Sequence, residues 1–289
     1  MTAALPVEIW LRILRLVVHI PHYLDTVYSD PFIDVDFNYA QMAIDEENAA
    51  KMGVVIQLVC SSWYRYGKRL KYELTETNSH QRVQEISSRL TADDCLLQLT
   101  KRLGFTGFCS DSDSLLGGLC RLTPLIKAAP NTVIFSVFEY SPRPVTDLDV
   151  LEDWLVGNEW DQSRIEAFAA GVTAHPEHPP CIWAKTLVPL STKFANLRTL
   201  YCTLAFAPLP LIGYSLPPIV FPRVETLQIS WFAPEDDLNV AFDWLGTWDA
   251  PLLKNLRFNI LFGNECWPSL LRFLELSGKR LHSLRLEVS

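Results

Sequence analysis

The residues best suited to metal chemistry stand in the segment Ala-His175-Pro-Glu-His178-Pro-Pro-Cys181. Imidazole nitrogens and a cysteine thiolate bind zinc, and a structural zinc site takes four such ligands. No fourth ligand stands at a suitable spacing, and the prolines indicate an exposed loop. The sequence therefore predicts no metal site, and no cofactor is expected.

A second candidate for chemistry is Asp93-Asp94-Cys95, where a thiol stands beside two acids. A nucleophilic cysteine needs an adjacent base, usually a histidine, and none is apparent. Asp93 is better explained as the N-cap of a helix. The chain also contains no G-x-S-x-G, G-x-G-x-x-G or P-loop pattern. We therefore expect a binding protein and not an enzyme.

The acidic side chains of residues 22–51 form the third cluster, with seven carboxylates and almost no basic residue. Their spacing does not match an EF-hand calcium loop, and the glycine that such a loop requires is absent. We interpret the stretch as a solvated acidic insertion or long loop, which could include a short helix at Tyr39–Met52.

The bulk composition is that of a globular protein. Of the 289 residues, 49 % are hydrophobic and 20 % are charged, which is too apolar for an intrinsically disordered chain. The net charge of −8 argues against a nucleic-acid partner, since phosphate contacts need a basic surface.

The cysteines indicate a reducing compartment, because the seven of them are scattered and form no C-x-x-C pair. The N-terminus does not have the pattern of a signal peptide. The uncharged run Thr199–Pro222 is long enough to span a bilayer, but its prolines make a lipid-exposed helix improbable. We expect a cytoplasmic and/or nuclear protein without a membrane partner.

Residues 5–18 predict a helix with an unusually wide apolar side. Pro6 suits the first turn of a helix, and Glu8 is favoured there by the helix dipole. Apolar residues cover roughly 220° of its surface at about 100° per residue, whereas an ordinary surface helix has a stripe somewhat over about 100° wide. Two interpretations remain open. Either the protein itself buries both sides of this helix, or one side faces the protein's core and the other side faces a partner.

Two successive helices are predicted over Val54–Leu74. The first ends near Ser61, and the second begins with Ser61 or Ser62 as its N-cap and runs to about Leu74. Trp63, on the second helix, shares a side with other apolar residues.

Together these segments carry a resemblance to a known family. Leu5-Pro6-x-Glu8-Ile9-x-x-x-Ile13 and Leu58-Val59-Cys60-Ser61-Ser62-Trp63-Tyr64 resemble the F-box, as found in F-box proteins of mushroom-forming fungi. The resemblance implies a three-helix unit, residues 1–74, that binds the Skp-type adaptor of cullin–RING ubiquitin ligases. It places the adaptor contacts at Leu5, Pro6, Ile9, Ile13, Leu58, Val59, Cys60 and Trp63.

The departure from that family is the acidic insertion at about 21–52, which separates the two halves of the motif. A long loop adds little closure entropy, so we expect the two halves to dock.

Residues 75–128 are predicted to form a helical connector. Helices are expected at Gln81–Leu90, Asp93–Leu103 and Ser114–Ala128. Apolar residues at helical spacing are core candidates in this segment: Leu96, Leu97, Leu99 and Leu103.

Residues 129–289 carry a repeat. Copies begin at Phe194, Phe221, Ala250 and Gly278, which are 27, 29 and 28 residues apart, and each is apolar at its fourth, seventh and ninth positions. A weaker copy begins at Ala129. The pattern L-x-x-L-x-L at this spacing is a leucine-rich-repeat signature.

The fold class predicted is therefore α/β: an F-box-like helical unit followed by an irregular leucine-rich-repeat solenoid with parallel strands on its concave face. Outer helices are predicted at Leu238–Trp248 and Trp267–Leu276, whereas 203–221 is extended or irregular. The asparagine that usually closes each repeat is missing, so buried carbonyls at the bends need other donors.

Residues 138–193 give the weakest indication of secondary structure. Leu148–Leu155 and Gln162–Val172 look helical, and Ile182–Leu187 could be a strand. The sequence does not decide whether this segment is one degenerate repeat or an insertion.

Two functions follow as hypotheses. The first is a substrate receptor that links an unknown target protein to a cullin–RING ligase; the alternative is a scaffold whose F-box-like helices only cap the solenoid. The exposure of the apolar side of the first helix would discriminate between them. Target contacts are expected at residues that alternate with the inward leucines on the concave face: Thr199, Tyr201, Gln228, Ser230, Asn255, Arg257 and Arg285.

Overall fold

The computed structural model describes residues 6–18, 48, 51–77, 83–86, 97–108, 115–140, 153–155, 157, 160–173, 182–183, 186–205, 218–232, 244–260 and 267–288. The strands among them are β1 (Leu74–Thr77), β2 (Arg102–Phe108), β3 (Ile134–Tyr140), β4 (Ala167–Thr173), β5 (Ile182–Trp183), β6 (Thr199–Ala205), β7 (Thr226–Phe232), β8 (Asn255–Ile260) and β9 (Ser283–Val288).

The helices are α1 (Val7–Val18), α2 (Ser61–Glu73), α3 (Leu115–Ala128), α4 (Leu187–Lys193) and α5 (Trp267–Ser277). Residues 51–59 are also helical, and Leu97–Leu99 and Gly278–Arg280 form 3-10 turns.

The described strands form one open sheet in which all pairs are parallel. Their order is β1-β2-β3-β4-β6-β7-β8-β9, and the short β5 pairs with the end of β6. Apart from β5, each strand therefore lies beside the next one along the chain. This confirms the α/β class and is compatible with a solenoid-like array, because each repeat contacts mainly its neighbours.

The sheet register confirms the predicted repeat. The seventh residues of successive copies are direct neighbours: Leu200 pairs with Leu227, Leu227 with Leu256, and Leu256 with Leu284. The same row continues toward the N-terminus through the aromatic residues of β4 and β3, because Phe168 pairs with both Leu200 and Phe135.

The main core lies between the sheet and the outer segments. Aromatic rings stack through its centre, where Phe168 and Phe194 lie 4.8 Å apart and Phe135 and Trp160 lie 5.7 Å apart. All four side chains are buried. Inward residues at the seventh and ninth positions of the repeats thus build one continuous core.

A tight turn precedes six of the strands. In each, the N–H of the fourth residue of a repeat donates to the carbonyl of the first, at 3.0–3.2 Å. The pairs are Thr100 with Leu97, Thr132 with Ala129, Ile165 with Gln162, Leu197 with Phe194, Leu253 with Ala250, and Leu281 with Gly278.

Side chains at the third position bond these turns to the preceding repeat. Asn131 Nδ2 donates to the carbonyl of Gln98 at 2.6 Å, and Asn196 Nδ2 donates to that of Ser163 at 2.7 Å. Both bonds lie in exposed turns before the strands, so other donors for buried carbonyls at the bends after the strands stay a prediction.

The helical connector predicted for 75–128 is wrong in two places. Residues 74–77 form β1 and residues 102–108 form β2, so the parallel sheet begins at Leu74. Leu97 and Leu103 are buried as predicted, but Leu97 lies in a turn and Leu103 points inward from a strand. Only residues 83–86 are described as helical within Gln81–Leu90, and Leu115–Ala128 confirms the third helix.

The helix predicted at Gln162–Val172 is also wrong. Its first residues form a turn and the rest belong to β4, which continues the row of inward residues. The alanines of Ala-Phe-Ala-Ala favour a helix locally, but packing between β3 and β6 overrides that propensity. The described part of the segment therefore follows the repeat pattern. Ile182–Trp183 forms only the first part of the strand predicted at Ile182–Leu187, because Leu187 begins α4.

The predicted helix at Trp267–Leu276 is confirmed as α5. For Leu238–Trp248, only residues 244–245 are described as helical, and a turn follows. The back of the array is extended at Val220, which bridges to Asp249 of the next repeat, as expected for 203–221. Residues 206–217 lie outside the described part.

Candidate interaction site

The two N-terminal segments dock on each other, as predicted. Helix α1 packs against α2, and the rings of Trp10 and Trp63 lie 5.3 Å apart at 57°. Leu14 is buried in α1 and Ile56 is buried in the helical residues 51–59. Aromatic contacts of this kind contribute about 0.5–1.5 kcal/mol beyond the burial of apolar area. The described helices therefore form one packed unit.

A glycine allows the helical residues 51–59 to lie close to α2. A Cβ added to Gly67 would lie 2.9 Å from Cγ of Gln57 and 3.1 Å from Cγ2 of Ile56. The Gln57 side chain is itself held by a 3.0 Å hydrogen bond to the carbonyl of Gly53. The close crossing of these two helices therefore requires a residue without a side chain at position 67.

The apolar side of α1 is open to solvent. Ile9 is 43 % exposed and Ile13 is 37 % exposed, while the helical residues 51–59 expose Leu58 to 80 % and Val59 to 56 %. Further exposed apolar residues on these helices, not singled out from the sequence, are Val7, Leu16, Met52, Val54, Val55 and Tyr64. Contiguous exposed apolar residues are typical of surfaces that contact another protein, a membrane or a ligand.

The residues predicted to bind an adaptor fall into three groups. Leu5 lies outside the described residues, and Trp63 is half-buried against Trp10. The others are exposed: Pro6, Ile9, Ile13, Leu58, Val59 and Cys60.

Cys60 corrects the predicted start of the second helix. It is the N-cap, with an extended backbone at φ −164° and ψ 170°, and its side chain makes no capping hydrogen bond. Its carbonyl accepts from the N–H of Tyr64 at 2.8 Å. Ser61 and Ser62, predicted as caps, already lie within α2.

The helical unit is joined to the sheet without a linker. Helix α2 ends at Glu73, and the next residue begins β1. Thr100 Oγ1 donates to the carbonyl of Tyr72 at 2.8 Å, and Lys101 N–H donates to that of Glu73 at 2.9 Å. The end of α2 is thus bonded to the first repeat, so the helices have a defined position relative to β1 and β2.

The sheet face that was predicted to be concave differs at its centre from the polar binding surface that was expected. Thr199, Tyr201 and Gln228 were predicted to contact a target, but Tyr201 and Gln228 are each 2 % exposed and Thr199 is 3 % exposed. The physical reason is a second apolar cluster on this face, formed by Ile134, Phe138, Ala167, Ala169 and Tyr201.

The open part of the predicted surface lies on the last two strands. Asn255 and Arg285 are exposed and Arg257 is half-buried, whereas the side chain of Ser230 lies outside the described part. Asn255 Nδ2 donates to Thr226 Oγ1 at 3.1 Å, which orients the amide across two repeats.

Neighbouring repeats are also joined by ions at their fifth positions. Lys254 Nζ donates to Oε2 of Glu225 at 2.6 Å, and Arg198 Nε donates to its other oxygen at 2.9 Å. The hydrogen bond from Lys254, with that from Arg198, holds the pKa of Glu225 below its ordinary value, against the opposing effect of burial.

The described residues contain no cluster of three or more His, Cys, Asp or Glu that could hold a metal. His175, His178 and Cys181 lie outside them, as do Asp93, Asp94 and Cys95.

Burial raises the pKa of the Cys202 thiol, which keeps it protonated in the core. In the part of the chain that is described, no helix has the length and apolarity to cross a bilayer.

Comparison of the chain with models of protein families, with curated proteins and with solved structures finds no match.

Proposed function

We propose that this protein is an F-box substrate receptor, which links a target protein to a cullin–RING ubiquitin ligase through a Skp-type adaptor. The observation that carries the proposal is the exposure of Ile9, Ile13, Leu58 and Val59. These are four of the residues at which the resemblance expects adaptor contacts.

The energetics favour a partner on these helices. Complete burial of one Leu, Ile or Val side chain contributes roughly 1.5–3 kcal/mol. Leu14, Ile56 and the Trp10–Trp63 pair already supply the internal core of the unit. The outward apolar residues are not needed to hold the helices together, so their burial is available for binding.

The mechanism of such a receptor is proximity, since it holds a target near a ligase that it does not contain. A fixed relation between the two binding surfaces helps, because a flexible link lowers the effective concentration of the target. The hydrogen bonds from Thr100 and Lys101 to the last turn of α2 supply that rigidity.

The array is of leucine-rich-repeat type in this proposal, and the target binds near its C-terminal end. Asn255, Arg257 and Arg285 are accessible there to different degrees, whereas Tyr201 and Gln228 are buried. A polar target surface with carboxylates suits the two guanidinium groups.

The test uses a purified Skp-type adaptor and titration calorimetry with the full chain. Ile9→Asp and Leu58→Asp each place a charge on the exposed apolar surface and are expected to weaken binding at least tenfold. Leu271→Asp on α5 is the matched control, since Leu271 is also exposed but lies on the C-terminal repeat. Equal binding by folded Ile9 and Leu58 variants, or no binding by the wild type, contradicts the proposal.

A scaffold without an adaptor is the second candidate. It is favoured by the direct continuation of α2 into β1, because a helical cap on the first repeat would use the same contacts. Absence of adaptor binding by the wild-type chain would support it, provided that removal of the N-terminal helices unfolds the repeats.

A further inference from the structure

A small cavity lies on the inward side of the sheet, between residues 245–250 and helix α5. Its volume is about 40 Å³. Its walls are buried apolar side chains of two successive repeats: Leu227, Leu245, Leu253 and Phe273. Leu227 and Gln228 point to opposite faces of the sheet, since successive residues of a strand alternate. The cavity is therefore separate from the surface expected to bind a target.

Two small residues leave this space open. The first residue of a repeat packs into the core where it is large, as in Leu97, Phe194 and Phe221, which are all buried. Ala250 holds the same position in its repeat and lines the cavity, and the next repeat has Gly278 there. The sequence thus leaves room at a point that large side chains fill in other repeats.

One charged side chain, Arg280, lines the cavity and is exposed to solvent. It is the third residue of its repeat, and third residues reach back to the preceding repeat. Asn131 and Asn196 do so through their amides, and Nη2 of Arg164 donates to a carbonyl there at 2.9 Å. Arg280 reaches back to the cavity instead, and among the described residues it makes no hydrogen bond or ion pair. Its guanidinium group is therefore available to a carboxylate.

Trp248 also lines the cavity and carries a second polar group. Two aromatic rings hold its indole edge-on, with ring centroids 5.6 Å away for Phe221 and 5.1 Å away for Trp244. Its Nε1 is buried and has no hydrogen-bond partner. A buried donor without a partner is destabilising, so an acceptor on a ligand would be favoured here. The seven described residues that line the cavity thus offer apolar walls and two donors, and none of them is acidic.

We propose that this cavity binds a short branched aliphatic carboxylate. A water-sized group needs about 10–15 Å³, so the cavity holds roughly three such groups, which is the size of an isopropyl group. The isopropyl end lies between the apolar walls. The carboxylate accepts hydrogen bonds from the guanidinium group of Arg280 and from Nε1 of Trp248.

Isovalerate is the probe, and it is titrated into the ¹⁵N-labelled full chain while the indole N–H signals of the nine tryptophans are followed. The signal of Trp248, identified by comparison with Trp248→Phe, should move downfield as the carboxylate binds. Isovaleramide has the same tail without the charge and should bind about tenfold more weakly or worse. Acetate has the charge without the tail and should also bind about tenfold more weakly or worse.

Two variants test the lining of the cavity. Arg280→Gln removes a charge at an exposed position, and should weaken isovalerate binding until the acid and the amide bind alike. Arg223→Gln is the matched control, since Arg223 is an exposed third residue that does not line the cavity. Ala250→Leu fills the cavity with the side chain that Leu97 has at the same position. It should abolish binding, with the circular dichroism of the wild type.

A Trp248 signal that does not move at any isovalerate concentration overturns the proposal. Equal affinity of the wild type and Arg280→Gln, or binding that persists in folded Ala250→Leu, overturns it equally. If Ala250→Leu does not fold, Arg280→Gln and isovaleramide still decide. The same tail and carboxylate stand at the end of a peptide that finishes in leucine, so acetyl-glycyl-leucine is titrated in parallel. Binding of that peptide without binding of isovalerate also contradicts the proposal.

Discussion

Lys254 Nζ lies 2.6 Å from Oε2 of Glu225, and this contact joins two consecutive repeats beside the sheet. Arg198 approaches the same carboxylate from the preceding repeat. One acid is thus shared between two bases along the fifth positions of three repeats. The inward leucines supply the core of the array. These ion pairs connect neighbouring repeats just before the strands begin.

Loss of the Glu225 charge should reduce stability at neutral pH. Glu225→Gln removes both ion pairs, and a partly exposed pair is worth up to about 1 kcal/mol. Because the pKa of Glu225 is lowered in the folded protein, its stabilisation is present above the unfolded-state pKa of about 4.3 and is lost as pH falls through the folded value. Urea unfolding at pH 7 and at a series of acidic pH values measures the difference between the variant and the wild type, which should shrink as pH falls through the folded pKa of Glu225.

Gly67→Ala should disrupt the packing of the N-terminal helices. The new methyl group would overlap Gln57 and Ile56, and overpacking of this kind costs about 1–3 kcal/mol. Gly53→Ala is the matched control, since nothing lies within 4 Å of its added Cβ and alanine favours the helix by about 1 kcal/mol. Thermal unfolding followed by tryptophan fluorescence should show a lower midpoint for the first variant alone.

The row of inward leucines allows the same Leu→Ala substitution to be compared at a buried and at an exposed position. Leu227 is 2 % exposed, and Leu227→Ala should cost about 2–5 kcal/mol because a cavity remains. Leu284 stands in the same row on β9 but is far more exposed, so Leu284→Ala should cost about 1 kcal/mol or less. Urea unfolding at low protein concentration compares them, and equal losses would show that β9 is covered.

Two cysteines should differ sharply in reactivity. Cys60 is exposed, whereas Cys202 is buried on β6 and its pKa is raised by that burial. Alkylation with iodoacetamide at pH 8, followed by peptide mapping, should label Cys60 within minutes and Cys202 only on unfolding. Rapid labelling of Cys202 in the folded chain would indicate that β6 opens locally.

The repeat of the C-terminal half was predictable because its spacing is regular and its inward residues are large. Leu200, Leu227, Leu256 and Leu284 stand 27, 29 and 28 residues apart, and the sheet register follows that spacing. The copies at Leu97 and Gln162 follow the same pattern at intervals of 32 and 33 residues. They were missed because Thr100 and Ala170 each replace a large apolar residue of the pattern, and because these intervals are longer than those of the later copies.

The interaction surfaces were predictable to different degrees. Exposure of Ile9 was one of two outcomes that the wide apolar side of α1 left open, and exposure of Leu58 was expected only from the resemblance. Burial of Tyr201 and Gln228 was not predicted, because strand alternation states which face a residue occupies and not what covers that face. Ile134 and Phe138, apolar on the same face, were the available signal for the second cluster.

The order of the strands bears on how the chain folds during synthesis. The main strands succeed one another in space as they do in sequence, so each new repeat can dock on a repeat already made. During synthesis the N-terminal part of a chain emerges first and N-terminal domains generally fold first, and folding of a repeat array can propagate from one folded repeat to the next. The junction of α2 and β1 would be the first template, and folding would then proceed one repeat at a time toward β9.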